Sequence, residues 1–235
     1  MSKSTLSIMI MATLGSATIL HAATITFSDN TFAVADWTAT GIGSGLLGFT
    51  AGQVSTGGNP GTFRQNSLTF NIGLVYVVNL SPAFVYTTST LPIISLMGSY
   101  DVIRTGPYAV GIGLALLQNG SEYISSGGTS AYNPTWTPGQ VFASATSFSR
   151  MSGSGPLIPD FSATGAPLEL GYASLNFDTA PGTTLTSQSG IDNLSITVTS
   201  GIIGGIPEPK SVWLFTAGMA FLATLKRASG PSRKK

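Results

Sequence analysis

The chain has 235 residues, of which only 8% are charged, and it contains 29 glycines and 13 prolines. Long solvent-exposed helices need many Lys, Glu, Gln and Arg side chains, so this composition excludes a largely helical protein and favours short strands joined by tight turns. The chain has no cysteine, which excludes disulfides, thiol catalysis and cysteine-ligated metals.

The first residues predict a secretory signal peptide, residues 1–22. Lys3 precedes an apolar run over residues 6–20, and the small residues Ala22 and Ala23 follow it. The run is short for a membrane span, which needs about 20 apolar residues, although a retained anchor or a buried helix is the alternative. His21 is the only histidine. Its removal would leave the mature domain without the usual Ser–His–Asp triad and the usual zinc sites.

The charges of the chain are segregated between its body and its ends. Residues 24–206 contain three arginines and eight carboxylates, which leaves a net charge of −5. An acidic domain repels phosphate backbones, so we expect no nucleic-acid binding.

Between the two ends, apolar residues alternate with a period of two, which predicts strands. Asn119-Gly120 is the dipeptide preferred in type I′ hairpins. No stretch of the body shows a sustained helical period. The predicted fold class is therefore all-β, a single jelly-roll-like β-sandwich over residues 23–203 with an N-terminal signal helix and a C-terminal transmembrane helix on either side. The predicted strands include residues 68–80, 108–116, 122–125, 140–150, 168–177 and 191–199.

Two short segments of the body carry a resemblance to a known fold. Residues 25–32, with Asp36 and Trp37 after them, and residues 190–198 resemble the first and last strands of lectin-like and carbohydrate-binding jelly rolls. The resemblance implies that the terminal strands pair and that acidic residues near them hold a structural Ca²⁺. Calcium takes 6–8 oxygen ligands, and Asp29 and Asp192 are the candidate ligands. The alternative is that Asp29 forms a turn and Asp192 caps a strand end.

Aromatic residues in a predicted loop indicate a second candidate site. Tyr132 and Trp136 lie on either side of Asn133-Pro134-Thr135, where core packing does not by itself demand aromatic side chains. We predict that they form a platform for a sugar, with burial of Trp136 in the core as the alternative. Trp37, beside the first strand, is predicted to be a core residue. Glycoside hydrolysis needs two carboxylates that face one cleft, and no motif marks such a pair, so we predict a non-catalytic protein.

The last 30 residues form a tripartite signal. Pro207-Glu208-Pro209 precedes an apolar segment over residues 211–225, and the basic residues Lys226 and Arg227 follow. Basic residues after an apolar segment keep that end cytoplasmic. This order resembles the PEP-CTERM sorting domain of Gram-negative bacteria. Lys210 and the interrupted basic cluster at residues 228–232 depart from the pattern, and an ordinary single-pass anchor is the alternative.

The resemblance of residues 204–235 to PEP-CTERM segments implies several partners. They are the Sec translocon, an exosortase, the inner membrane as a transient stop, and an extracellular polysaccharide. We predict an exported, non-catalytic protein of the cell surface or extracellular matrix, sorted by an exosortase and associated with exopolysaccharide. The alternatives are a carbohydrate-binding module or adhesin and, third, a glycoside hydrolase.

Overall fold

The computed structural model describes residues 22–88, 91–178 and 182–201, and these residues form twelve strands. Single-turn 3₁₀ helices lie at Val34–Asp36 and Ala145–Ser147. The strands are β1 (Ala23–Asp29), β2 (Thr38–Ile42), β3 (Leu46–Gly58), β4 (Gly61–Phe70), β5 (Gly73–Tyr86), β6 (Ile93–Arg104), β7 (Val110–Gln118), β8 (Ser121–Ala131), β9 (Thr137–Ala143), β10 (Phe148–Arg150), β11 (Leu168–Asp178) and β12 (Leu185–Ser200).

The strands form two antiparallel sheets. Sheet I has the order β3-β4-β12-β6-β9, with β1 also paired to β12, and sheet II has the order β10-β8-β7-β11-β5-β2. The predicted all-β sandwich is confirmed. The predicted transmembrane helix over residues 211–225, and all but the last residue of the predicted signal helix over residues 1–22, lie outside the described residues. Among the residues that the structure does describe, no helix is long and apolar enough to cross a membrane.

The pairing of the first and last strands, expected from the resemblance to jelly rolls, is confirmed. Ala23 lies opposite Ser200 and Asp29 lies opposite Leu194. On the same side of β12, further towards its start, β4 pairs so that Arg64 lies opposite Ile191. The ends of β1 and β4 therefore meet beside residues 191–194 of β12, and the loop after β1 and the β3–β4 hairpin converge there.

The core lies between the inner faces of the two sheets and is built around aromatic rings. Trp37 is buried and contacts Phe32, Phe84 and Tyr172 at ring-centroid distances of 5.7, 5.5 and 5.8 Å. Two of these contacts are edge-to-face, a favoured geometry for aromatic pairs. The prediction that Trp37 is a core residue is confirmed.

Two predicted strands are wrong in their bounds. Residues 68–80 are not one strand, because β4 ends at Phe70 and β5 begins in the other sheet at Gly73. Gly73 has a φ of +81°, a conformation that glycine adopts more readily than other residues. Residues 140–150 are likewise divided between β9 and β10 by the turn at Ala145–Ser147. The predicted hairpin at Asn119-Gly120 is confirmed, with φ angles of +50° and +70° that suit a type I′ turn.

Candidate functional site

A polar groove runs along the outward face of sheet I, over β6 and β9. Ser99 lies opposite Gln140 in the register, and Asp101 lies opposite Pro138. Tyr100, between Ser99 and Asp101, points inward and donates its hydroxyl proton to the Ile112 carbonyl at 3.1 Å. Because side chains alternate along a strand, the neighbours of Tyr100 face outward. The groove has a volume of about 500 Å³, and its lining includes Ser99, Asp101, Pro138, Gln140 and Asn193.

Asn193 closes one side of the groove and positions Asp101. It lies in a β-bulge between Asp192 and Ser195 and has a φ of +50°, a left-handed conformation that asparagine adopts more readily than most residues. Its Nδ2 donates to Asp101 Oδ2 at 2.8 Å and also to the Asn59 carbonyl. Asp101 Oδ1 receives no hydrogen bond from the described residues. That oxygen is therefore available to accept a hydrogen bond from a hydroxyl of a ligand in the groove.

Asp192 lies next to Asp101 in the register but is not open to the groove. Its side chain is 0% exposed because the tip of the β3–β4 hairpin covers it. Asp192 Oδ2 accepts a hydrogen bond from the Asn59 amide, and Oδ1 accepts one from the Asn193 amide at 2.7 Å. The carboxylate thus anchors the hairpin to the bulge of β12.

Asp29 organises the loop after β1. Its Oδ1 accepts from the Thr31 amide and hydroxyl at 2.7 and 2.8 Å and from the Phe32 amide at 3.0 Å, while Oδ2 accepts from Trp37 Nε1 at 2.8 Å. Burial by itself raises the pKa of Asp29, but the hydrogen bonds from Trp37, Phe32 and Thr31 together hold it below its ordinary value.

The two predicted calcium ligands, Asp29 and Asp192, lie on opposite faces of sheet I. Asp29 shares the inner face of sheet I with its pairing partner Leu194, whereas Asp192 faces outward with Asp101. Within the described ranges, no group of three or more His, Cys, Asp or Glu side chains is placed to hold a metal ion. These residues do not fit a shared calcium site, and calcium binding by this protein stays an untested prediction.

The predicted aromatic platform is only partly open. Trp136 is half-buried, donates its Nε1 proton to the Gly57 carbonyl at 2.9 Å, and packs edge-to-face on Phe63 at 5.3 Å. It therefore attaches the β8–β9 loop to the β3–β4 hairpin. Tyr132, in the same loop, is 66% exposed.

Sequence reasoning missed Phe142. Its side chain is 68% exposed and lies on β9 two residues beyond Gln140, on the same outward face. A single exposed apolar side chain is ordinary on a protein surface, so Phe142 is notable only because it shares this face with Gln140, which lines the groove. The alternation in Gln140-Val141-Phe142-Ala143 predicts a strand. Because Val141 on one face and Phe142 on the other are both apolar, the sequence alone did not show which face is buried.

The polar surface continues across Asn193 to β1. A second groove of about 270 Å³ lies there, and its lining includes Ser28, Asn30 and Ser195. Beside it the hydroxyls of Thr26 and Thr197 lie 2.9 Å apart. Hydroxyl, amide and carboxylate groups thus line one face from β1 to β9.

Two further carboxylates lie on the outward face of sheet II. Glu122 and Glu169 are each opposite Leu117 in the register. Glu122 is buried and accepts a hydrogen bond from the Ser152 hydroxyl at 2.6 Å, and burial raises the pKa of Glu169. Neither residue lines the groove on sheet I.

No protein-family model matches the chain, and no curated protein matches its sequence. Several solved structures have a similar fold. One is the family 11 carbohydrate-binding module of a cellulosomal cellulase of Clostridium thermocellum, with 16% identity over 74% of this chain and 95% of that one and a TM-score of 0.44. Another is a xylan-binding domain from Paenibacillus barcinonensis, with 12% identity over 74% of this chain and 92% of that one and a TM-score of 0.38. At such identities a likeness concerns the fold and not the ligand.

Proposed function

We propose that this protein binds a polysaccharide, without acting on it, through the outward face of sheet I. One observation carries the proposal: the exposed ring of Phe142 lies on the same face as Asp101 and Gln140, two residues along β9 from Gln140, which lines the groove. A sugar ring has an apolar C–H face that packs on an aromatic ring and a rim of hydroxyls that bond to planar polar groups. This face of the sheet offers both.

The proposal of binding without catalysis rests on the carboxylates of the groove. Glycoside hydrolysis needs two carboxyl groups about 5–9.5 Å apart on either side of the bond to be cleaved. Asp101 lines the groove, but the hairpin covers its neighbour Asp192. The likeness to carbohydrate-binding modules, with TM-scores below 0.5, carries no weight in this proposal.

A binding panel tests the proposal. The purified full chain is run in affinity electrophoresis against mixed-linked β-1,3-1,4-glucan, xylan, mannan and the exopolysaccharide of the producing bacterium. We expect retardation by at least one of them and a 5- to 30-fold weaker affinity for Gln140→Ala, because a polar contact is worth about 1–2 kcal/mol. Gln188→Ala, on the same face of the sheet but outside the groove, is the matched control. Retardation by none of the four, or equal weakening by both variants, would contradict the proposal.

We further propose that residues 1–22 and 206–235 direct export by the Sec translocon and sorting by an exosortase to the cell surface or extracellular matrix. The order of Pro207-Glu208-Pro209, an apolar segment and basic residues supports it. Residues 1–21 and 206–235 lie outside the described residues. Mass spectrometry of the protein from cells with and without the exosortase tests the idea. We expect the C-terminus to be lost only when the enzyme is present, and the same terminus in both strains would refute exosortase processing.

A further inference from the structure

Four polar side chains lie side by side inside the sandwich, on the inner face of sheet I. β4 contributes Arg64 and Asn66, and β12 contributes Ser187 and Ser189, each at most 2% exposed. Asn66 lies opposite Ser189 in the register, and residues two apart along a strand share a face. We call these four residues the interior polar patch.

Sheet II satisfies only part of this patch. Arg64 Nε donates to Asn79 Oδ1 at 2.8 Å, and Asn66 Nδ2 donates to the Ser174 hydroxyl oxygen at 2.7 Å and to the Tyr172 hydroxyl oxygen at 3.4 Å. The Arg64 guanidinium also lies 5.7 Å from the centre of the Trp37 ring. Burial raises the pKa of Tyr172, and the charge of Arg64 and a side-chain hydrogen bond from it act in the opposite direction.

Four polar atoms of the patch remain without a partner among the described residues. They are Arg64 Nη1, Asn66 Oδ1, Ser187 Oγ and Ser189 Oγ, all removed from solvent. A buried polar atom that makes no hydrogen bond loses its hydration without replacement, and native proteins rarely leave several such atoms in one place. A small group that bonds to these atoms would remove that cost.

The charge of the patch is also uncompensated. A guanidinium keeps its positive charge in proteins, and Arg64 forms no ion pair with any carboxylate of the described chain. Asp29, which also contacts Trp37, uses its oxygens for Trp37 Nε1 and the following loop. A buried cation without a counter-charge is strongly unfavourable, and a cation–π contact offsets only part of that cost.

We propose that the interior polar patch binds a small monovalent inorganic anion of the size of chloride, with a water molecule beside it. Arg64 Nη1 and the hydroxyls of Ser187 and Ser189 donate to the anion, and the water donates to Asn66 Oδ1. Water alone would satisfy the hydrogen bonds but would leave the charge. The side chains of the neighbouring Leu68, Phe70 and Val77 are buried and apolar, so they offer no donors to the additional oxygens of a polyatomic anion, which favours a monatomic one.

The melting temperature of the full chain in different anions tests this site. Chloride is titrated against gluconate, an anion too large to enter, at constant ionic strength. Because ligands that bind only the folded state stabilise it by mass action, we expect the melting temperature to be about 3–6 °C higher when chloride exceeds its dissociation constant tenfold, and to keep rising with the logarithm of the chloride concentration. Equal melting temperatures in the two salts would mean that the patch holds water only, which overturns the proposal.

Ser189→Ala separates an anion ligand from a merely unsatisfied hydroxyl. If the hydroxyl has no partner, its removal leaves the stability equal or higher and the chloride response unchanged, and the proposal fails. If it donates to the anion, the concentration of chloride needed for a given rise in melting temperature increases several-fold. Ser200→Ala, a buried serine at the far end of the same strand, is the matched control and should keep the wild-type response.

Crystals of the wild-type chain grown in bromide give a test that does not depend on a variant. An anomalous peak within hydrogen-bond distance of Arg64 Nη1 would support the site. A bromide data set with no peak between the sheets at that position would overturn it.

Discussion

Asp29 shows how a single carboxylate can define the geometry of a loop. Four donors converge on it, three from the two residues after the turn and one from the buried Trp37. From the sequence, Asp29 was a candidate calcium ligand, with a role in a turn as the alternative. The sequence did not show that the carboxylate oxygens point towards the core. That direction depends on the register of β1 against β12, which places Asp29 opposite Leu194.

We predict that Asp29→Asn lowers the free energy of unfolding by about 1–3 kcal/mol at pH 7. Both carboxylate oxygens accept hydrogen bonds, one of them from Trp37 Nε1, whereas an amide has a single acceptor oxygen and no charge. The lowered pKa of Asp29 fixes the sign of the pH dependence. Its contribution is present above the ordinary value of 3.8 and is lost as the pH falls through the lowered value. Urea denaturation of the wild type and of Asp29→Asn at pH 7 and pH 3 measures this dependence. If the two proteins differ in unfolding free energy by the same amount at both pH values, the charge of Asp29 does not contribute to stability.

Glu169 behaves in the opposite way. Burial raises its pKa above the ordinary value of 4.5, so the folded state binds more protons and stability falls as the pH rises through that window. Glutamine cannot ionise, and we therefore predict that Glu169→Gln melts at a higher temperature than the wild type at pH 7. The advantage should shrink towards pH 4, where the carboxyl is protonated in both states. Thermal melts across this range would count against the account if Glu169→Gln lowered the melting temperature at pH 7.

At the scale of elements, the alternating pattern predicted strands well where one face is buried and the other exposed. The hairpin of β7 and β8 is an example, since Asn119-Gly120 marks its turn. The break between β4 and β5 was not predictable from alternation, because Phe70, Ile72 and Leu74 continue the apolar period across the turn. Ile72 and Leu74 are exposed, so their hydrophobicity does not report burial.

The β3–β4 hairpin depends on a glycine at its tip. A Cβ atom at Gly58 would lie 2.5 Å from the Thr62 carbonyl oxygen and 2.7 Å from Asp192 Oδ2. We predict that Gly58→Ala displaces the hairpin, costs about 1–3 kcal/mol of stability, and loosens Asn59 from Asp101 and Asn193. Gly52→Ala, on the same strand with open space around it, is the control and should cost nothing measurable. Denaturation midpoints of the two variants give the comparison, and similar losses in both would reject the steric explanation.

At the scale of the whole molecule, the sequence predicted the all-β sandwich and the pairing of its terminal strands, and the structure confirms both. The candidate site was harder to predict. Tyr132 and Trp136 were predicted to bind a ligand because they are aromatic residues in a loop. In the structure, Trp136 packs against the β3–β4 hairpin. Phe142 and Gln140 become a surface only when β9 pairs with β6 and turns them outward together with Asp101. Such a surface depends on pairing between strands that are distant in the sequence, and the pattern of residues along one strand does not show that pairing.

The central claim is that a polysaccharide contacts the outward face of sheet I through Phe142. Phe177 provides a matched control, because it is 59% exposed on the outward face of sheet II, opposite Leu74. The decisive measurement is the affinity of Phe142→Ala and Phe177→Ala for whichever polysaccharide the wild type binds. We predict a 5- to 30-fold loss for Phe142→Ala, since an aromatic contact is worth about 1–2 kcal/mol, and no change for Phe177→Ala. Full binding by Phe142→Ala with a loss in Phe177→Ala would place the site on sheet II and contradict the account.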